Sequence, residues 1–216
     1  MNIKEVELLS ADLEATEKFY VETMGFKTEH KSAKDLKIKT GSSFLTFKKT
    51  DLKNPVYHFA FEIPNNLLEE AIEWASGKLE LVKFDNGSAI ADFASWNASS
   101  IYFFDNNGNI VEFIARFDNK TESNETFDAS CILNVSEIGL VAQNVAQLTK
   151  EIKVKTSLTL FSKQKPRDDF AVMGDNNGLF ILVLENRRWF ATQIRARRFP
   201  VKVKIENDGE VITFHH

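Results

Sequence analysis

Val6-Glu7-Leu8-Leu9-Ser10-Ala11-Asp12-Leu13 and Ile138-Gly139-Leu140-Val141-Ala142-Gln143-Asn144-Val145 can be laid one on the other, and that register decides how the chain is read. Each segment is a strand-like run that ends in a residue able to cap a helix, Asp12 or Asn144. Outward from the first copy, Ile3–Leu9 predicts a strand. Glu14–Met24 predicts a helix with Leu13, Phe19, Tyr20 and Met24 on one apolar stripe, and Gly25 stands where a C-terminal cap belongs. Strand-like segments follow at 26–30, 36–40 and 43–48, with Gly41-Ser42 as the turn between the last two. The order is β, α, β, β, β.

That order restarts at Val56–Ile63, followed by a break at Pro64-Asn65-Asn66 and a helix over Leu67–Ser76. Strand-like runs come at 79–84, 89–94, 101–104 and 110–116, and Asp105-Asn106-Asn107-Gly108 separates the last two. A polar, acidic stretch without period begins at Asp118 and marks a linker over 119–134. A third unit follows: strand 135–141, helix 145–152, then strands near 158–161, 170–173 and 179–184. Its last turn, Asp175-Asn176-Asn177-Gly178, repeats the tetrapeptide at Asp105, and two further strand candidates lie at 201–205 and 211–214. The expectation is an α+β fold of repeated βαβββ modules: a pair in 1–118, the linker, and a third, degenerate module with extra C-terminal strands in 135–216. Three modules leave one half without a mate, which points to a homodimer.

Composition narrows the function classes. Hydrophobic residues make up 43% of the 216, charged residues 27%, and Phe alone accounts for 19, so an aromatic core is expected. A net charge of −4 speaks against a general nucleic-acid or membrane-surface protein. Seven basic and no acidic residues between Arg187 and Lys204, interleaved with Trp189 and Phe190, read as a solvated or interface patch. Single-stranded nucleic acid is the less favoured partner for that segment. The single cysteine, Cys131, excludes an intrachain disulfide and suits a reducing compartment. Residues 1–6 carry no apolar leader and no run is long enough to span a bilayer, so the expected location is cytoplasmic.

The modules also align in their polar residues. Glu5, His58 and Glu137 each stand seven residues before an expected cap position, at Asp12, Asn65 and Asn144. Four residues beyond the turn glycines Gly41, Gly108 and Gly178 stand Leu45, Glu112 and Leu182. Only the second module has a carboxylate there, within an apolar strand where an unpaired charge is costly, and metal binding is one way to satisfy it. Without a counterpart to Glu112, the third module reads as structural and Glu137 with it. Arg116 shares the strand face of Glu112, where it either pairs with that carboxylate or holds a substrate carboxylate. Trp96 and Tyr102 are candidate cup linings.

Asp12-Leu13 followed by Phe19-Tyr20 and Met24-Gly25-Phe26, together with Phe103-Phe104-Asp105-Asn106-Asn107-Gly108-Asn109-Ile110-Val111-Glu112-Phe113, resembles the opening and closing motifs of the vicinal oxygen chelate superfamily. The match covers residues 1–117, and the third unit matches only in pattern. The superfamily includes glyoxalase I, extradiol dioxygenases, fosfomycin-resistance enzymes and metal-free bleomycin-binding proteins. The resemblance implies a glyoxalase-like cup of two modules, with inward positions at Glu5, Leu45, His58 and Glu112. It further implies a divalent metal (Mn, Zn, Ni or Fe) held by Glu5, His58 and Glu112. Glu112 or Glu5 would serve as catalytic base, and Arg116, Trp96 and Tyr102 would bind a small oxygenated molecule. Leu45 cannot bind metal, which departs from four-ligand glyoxalase sites, and Glu5 departs from the two-histidine, one-glutamate set of extradiol enzymes. The alternative is a metal-free protein of the same fold that sequesters a small molecule.

Overall fold

A computed structural model describes residues 1–216. The first module is β1 (Asn2–Ser10), α1 (Leu13–Glu17, prolonged by one wider π-turn over Lys18–Thr23), β2 (Lys27–Lys31), β3 (Asp35–Thr40) and β4 (Ser43–Lys49). The second is β5 (His58–Glu62), α2 (Leu68–Ser76), β6 (Ile90–Phe93), β7 (Ala98–Phe104) and β8 (Ile110–Arg116). The third is β9 (Asn134–Ala142), α3 (Val145–Thr156), β10 (Phe170–Asp175) and β11 (Gly178–Leu184), and a hairpin of β12 (Lys202–Asn207) and β13 (Glu210–His215) follows. The repeated caps are real at both ends of the chain: Asp12 accepts from the Ala15 amide and Asn144 from the Gln147 amide, each at 2.9 Å. Asn65 is not a cap. Its side chain donates to the Asn119 carbonyl, and α2 begins at Leu68 without a side-chain cap.

The modules assort differently from their order in the chain. One sheet runs β13-β12-β1-β4-β3-β2 and the other β10-β11-β9-β5-β8-β7-β6. The two-module cup therefore joins the second and third modules, through antiparallel β5 and β9, and not the first and second as the sequence suggested. The first module closes instead on the C-terminal hairpin, with β12 antiparallel to β1 as β9 is to β5. The third module, expected to lack a mate, thus has one in the second, and the first module's β1 edge is covered by β12 within the chain.

Alternation along the strands explains the layering. Val6, Leu8, Leu45 and Phe47 of the first sheet meet Phe59, Phe61, Val111, Phe113, Ile138 and Leu182 of the second in one continuous core. The opposite faces differ. β1 alternates buried with partly exposed residues, whereas β5 and β8 are buried at every position, so both faces of the second sheet are covered. The segment 119–134 is not a loose tether: Phe127 packs edge-on against Trp74 and tilted against Phe113, and Cys131 is buried with it.

Candidate metal centre in the cup

Strand parity sends His58, Ala60 and Glu62 of β5, Glu112 and Arg116 of β8, and Glu137 and Gly139 of β9 to the side away from the main core. There His58, Glu112 and Glu137 converge, with one ligand atom from each lying within 4.8 Å of the others. His58 Nε2 is 3.6 Å from Glu112 Oε2 and 4.0 Å from Glu137 Oε2. Donors bound at about 2.1 Å around one ion stand roughly 3–3.5 Å apart, so small side-chain movements bring this set into a coordination sphere. A bulge at Ser136 lets β9 present Ser136 and Glu137 to the same side.

Each ligand is oriented by a partner behind it. His58 Nδ1 lies 3.1 Å from the Ile110 carbonyl, which can only accept, so the proton sits on Nδ1 and the Nε2 lone pair faces the carboxylates. Burial lowers the imidazole pKa to about 4 against the weaker opposing pull of that carbonyl, so the ring is neutral at pH 7. Arg116 donates to Glu137 Oε1, to Glu62 Oε2 and to Ser136 Oγ, the last at 3.1 Å. Glu137 Oε2 remains free to face His58. Burial, and next the charge of Glu137, push Glu112 well above the usual carboxylate range, with Ser100 and Tyr102 opposing. Burial raises Glu137 to about 7 although Arg116 pulls it down.

Three buried carboxylates, Glu62, Glu112 and Glu137, face one guanidinium, so two of them must be matched by a proton or by a further cation. A divalent cation would neutralise that excess, and one imidazole with two carboxylates is a donor set that Mn, Fe, Zn and Ni all accept.

The sequence-based candidates divide cleanly. His58 and Glu112 are brought together. Glu5 is not with them: it lies on the other sheet, accepts from Thr46 Oγ1 at 2.7 Å and pairs with Lys37 at 3.0 Å. Trp96 and Tyr102 line the cavity above the three groups, whereas Arg116 is 1% exposed and sits behind them, paired with Glu62 and Glu137 rather than Glu112. Glu137 is the residue that sequence reasoning put aside. Its signal was the spacing of seven residues before Asn144, which matches that of His58.

The fourth inward position also moves. In the second module Glu112 pairs with Ala60, two residues after His58. The same step from Glu137 reaches Gly139, which pairs with Ile181, so Ile181 and not Leu182 stands at the floor. Counting from the turn glycine failed because the turns differ. Asp105–Asn109 forms a five-residue loop between the paired Phe104 and Ile110, while Asp175 and Gly178 pair directly across two residues. In the first module the equivalent position is Thr46, paired with Glu7, and Leu45 points into the core.

The cavity over the triad has a volume of about 210 Å³ and mostly aromatic and aliphatic walls. Trp189 roofs it, with its ring 5.4 Å from that of His58. Gly139 makes room for that roof, since a Cβ there would lie 2.5 Å from the indole. The basic segment singled out in the sequence is therefore partly a cup wall, and residues 187–196 fold back on themselves through Trp189–Ile194 and Ala196–Arg187 backbone bonds.

No family model and no curated protein matches the sequence. Solved structures do. A putative dioxygenase from Bacillus subtilis superposes over 100% of this chain and 84% of its own, with TM-score 0.63 and 13% identity. The fold is that of the vicinal oxygen chelate proteins. Glyoxalase I from Zea mays also has this fold and covers 85% of the chain and 66% of its own, with TM-score 0.52 and 16% identity. At these identities the likeness concerns architecture, and the vicinal oxygen chelate fold hosts more than one chemistry. No helix of the protein is long and apolar enough to cross a membrane.

Proposed function

We propose that the cup formed by the second and third modules is a divalent-metal site acting on a small oxygenated molecule, in a lyase, isomerase or dioxygenase type of reaction. The observation that carries this reading is the convergence of His58, Glu112 and Glu137 at the floor of an apolar cavity, with one guanidinium for three buried carboxylates. A bound divalent metal would supply Lewis acidity to a substrate oxygen. His58, Glu112 and Glu137 would hold it, with Ile181 leaving the fourth side free of protein donors. Arg116 fixes one oxygen of Glu137 and so acts as a positioning residue. Glu112 has no guanidinium partner and lies beside Tyr102, which suits it to take up or release a proton.

A second reading rests on Arg116. It holds Glu62 and Glu137 with one positive charge, so a proton on Glu112 and a second shared at Glu137 would complete the neutralisation and leave a metal-free binding cup of the same shape. Metal analysis by mass spectrometry of protein purified without chelator, beside His58→Ala, separates the two. Stoichiometric metal that disappears in the variant supports the enzyme. Absence of metal even after dialysis against Mn²⁺, Zn²⁺, Ni²⁺ and anaerobic Fe²⁺ leaves the binding cup.

A further inference from the structure

The rim of the same cavity is built differently from its floor. Arg167 and Arg187 both line it, and both guanidiniums lie over the ring of Phe170, at 5.3 and 5.0 Å. One carboxylate, Asp169, holds the pair: Arg167 Nε is 3.3 Å from Oδ1 and Arg187 Nε is 3.0 Å from Oδ2. Arg187 spends one further nitrogen, Nη1, on the Arg188 carbonyl at 3.2 Å. Asp169 meets one Nε atom with each of its oxygens, while Nη2 of Arg187 and both terminal nitrogens of Arg167 are left without a fixed acceptor. Two guanidiniums against one carboxylate leave one positive charge at the rim, and no other arginine or lysine lines the cavity.

Contact with Phe170 and the shared Asp169 bias both groups toward the cavity before anything binds, most for Arg187, whose side chain is the more buried of the two. A planar fork of terminal N–H donors matches a carboxylate, sulfonate or phosphate oxygen pair. Between rim and floor the walls are Phe93, Trp96, Trp189 and Phe190, which suit a flat apolar body. We infer that the cup selects ligands with a flat apolar body and an anionic group, the anion being taken at the rim by Arg167 and Arg187. This rests on the cup being a small-molecule site, as proposed above, and does not require the metal.

Isothermal titration calorimetry of metal-free protein with 2-naphthoate and with 2-naphthamide, which share a shape and differ in charge, tests it. Naphthoate is expected to bind roughly tenfold more tightly at low ionic strength. Arg167→Gln with Arg187→Gln should bring the two to parity with naphthamide unchanged. Ile181→Trp, which fills the floor, should weaken both probes, with circular dichroism confirming the fold of every variant. Equal binding of the two probes by the parent, or a naphthoate preference that survives the double arginine variant, overturns the anion inference alone. Binding of neither probe, or binding that Ile181→Trp leaves intact, overturns the small-molecule reading of the cup and this inference with it.

Discussion

The two sheets are built on one plan and carry opposite chemistry on their outward faces. Where the second sheet has His58, Glu112 and Glu137, the first has Glu5, Thr46 and Lys202 at the equivalent register positions. Each of the two ladders also carries a bulge, at Lys4 of β1 in one and at Ser136 of β9 in the other, on strands that do not correspond. On the first sheet the face is open: Lys37 and Glu5 are each about a quarter exposed, and Lys202 pairs with Glu7 at 3.5 Å. On the second the same positions are roofed by residues 161–196 and are 1–6% exposed. A carboxylate beside lysines in water is an ordinary ion pair, whereas carboxylates gathered without water need a cation or a proton. Burial, more than ligand identity alone, turns the shared framework into a candidate centre.

The sharpest way to break that comparison is to remove the cation on each face. Arg116→Met leaves Glu62 and Glu137 buried without their partner and should cost roughly 3–5 kcal/mol in urea unfolding of the metal-free protein. Lys37→Met on the open face should cost less than about 1 kcal/mol. Similar losses for the two would mean that the cup is wet and the contrast between the faces false.

Metal affinity is the next test. His58→Ala should weaken binding of Zn²⁺ or Mn²⁺ by more than roughly 100-fold in a chelator competition assay, and Glu137→Ala should do likewise, because each removes a donor outright. Glu5→Ala should leave the affinity unchanged. Loss of binding in Glu5→Ala with retention in Glu137→Ala would restore the ligand set that the sequence suggested.

That set shows where the sequence was legible. The βαβββ order, the caps at Asp12 and Asn144, and the inward placement of His58 and Glu112 all follow from local signals: period, turn residues and a charge in an apolar strand. What failed was long-range. Nothing local says whether β5 pairs with β1 or with β9, and that single choice exchanged Glu5 for Glu137. Ile181 was lost to a one-residue register error, which in a strand reverses the face. Trp189 and the two rim arginines lie outside the helices and strands, so no periodicity announced them.

pH sharpens the comparison further. The cup carboxylates have raised pKa values, with Glu137 at about 7 and Glu112 well above its ordinary 4.5. In the metal-free protein the stability tied to their protonation is complete below pH 4.5 and declines as pH rises through 7. Glu112→Gln, a permanently neutral mimic, should therefore match the parent at pH 4.5 and exceed it by roughly 1–3 kcal/mol at pH 8. Saturating metal should cancel the difference by stabilising the parent. A variant less stable than the parent at pH 8 without metal would show that Glu112 is ionised and already compensated.

Glu5 is expected to do the reverse, and to do little. Burial raises its pKa, but the Thr46 hydrogen bond and the contacts with Lys37 and Lys202 outweigh that and hold it below 4.5. Its contribution is present above pH 4.5 and is lost as pH falls. Glu5→Gln should cost less than about 1 kcal/mol at pH 7, lose that penalty towards pH 3, and show a smaller penalty in 0.5 M salt than at low ionic strength. The salt response matters most, because an open face admits counterions and a roofed one does not. If Glu5→Gln were insensitive to salt while Glu112→Gln responded strongly, the first sheet would hold the dry site, and the assignment of the two faces would have to be exchanged.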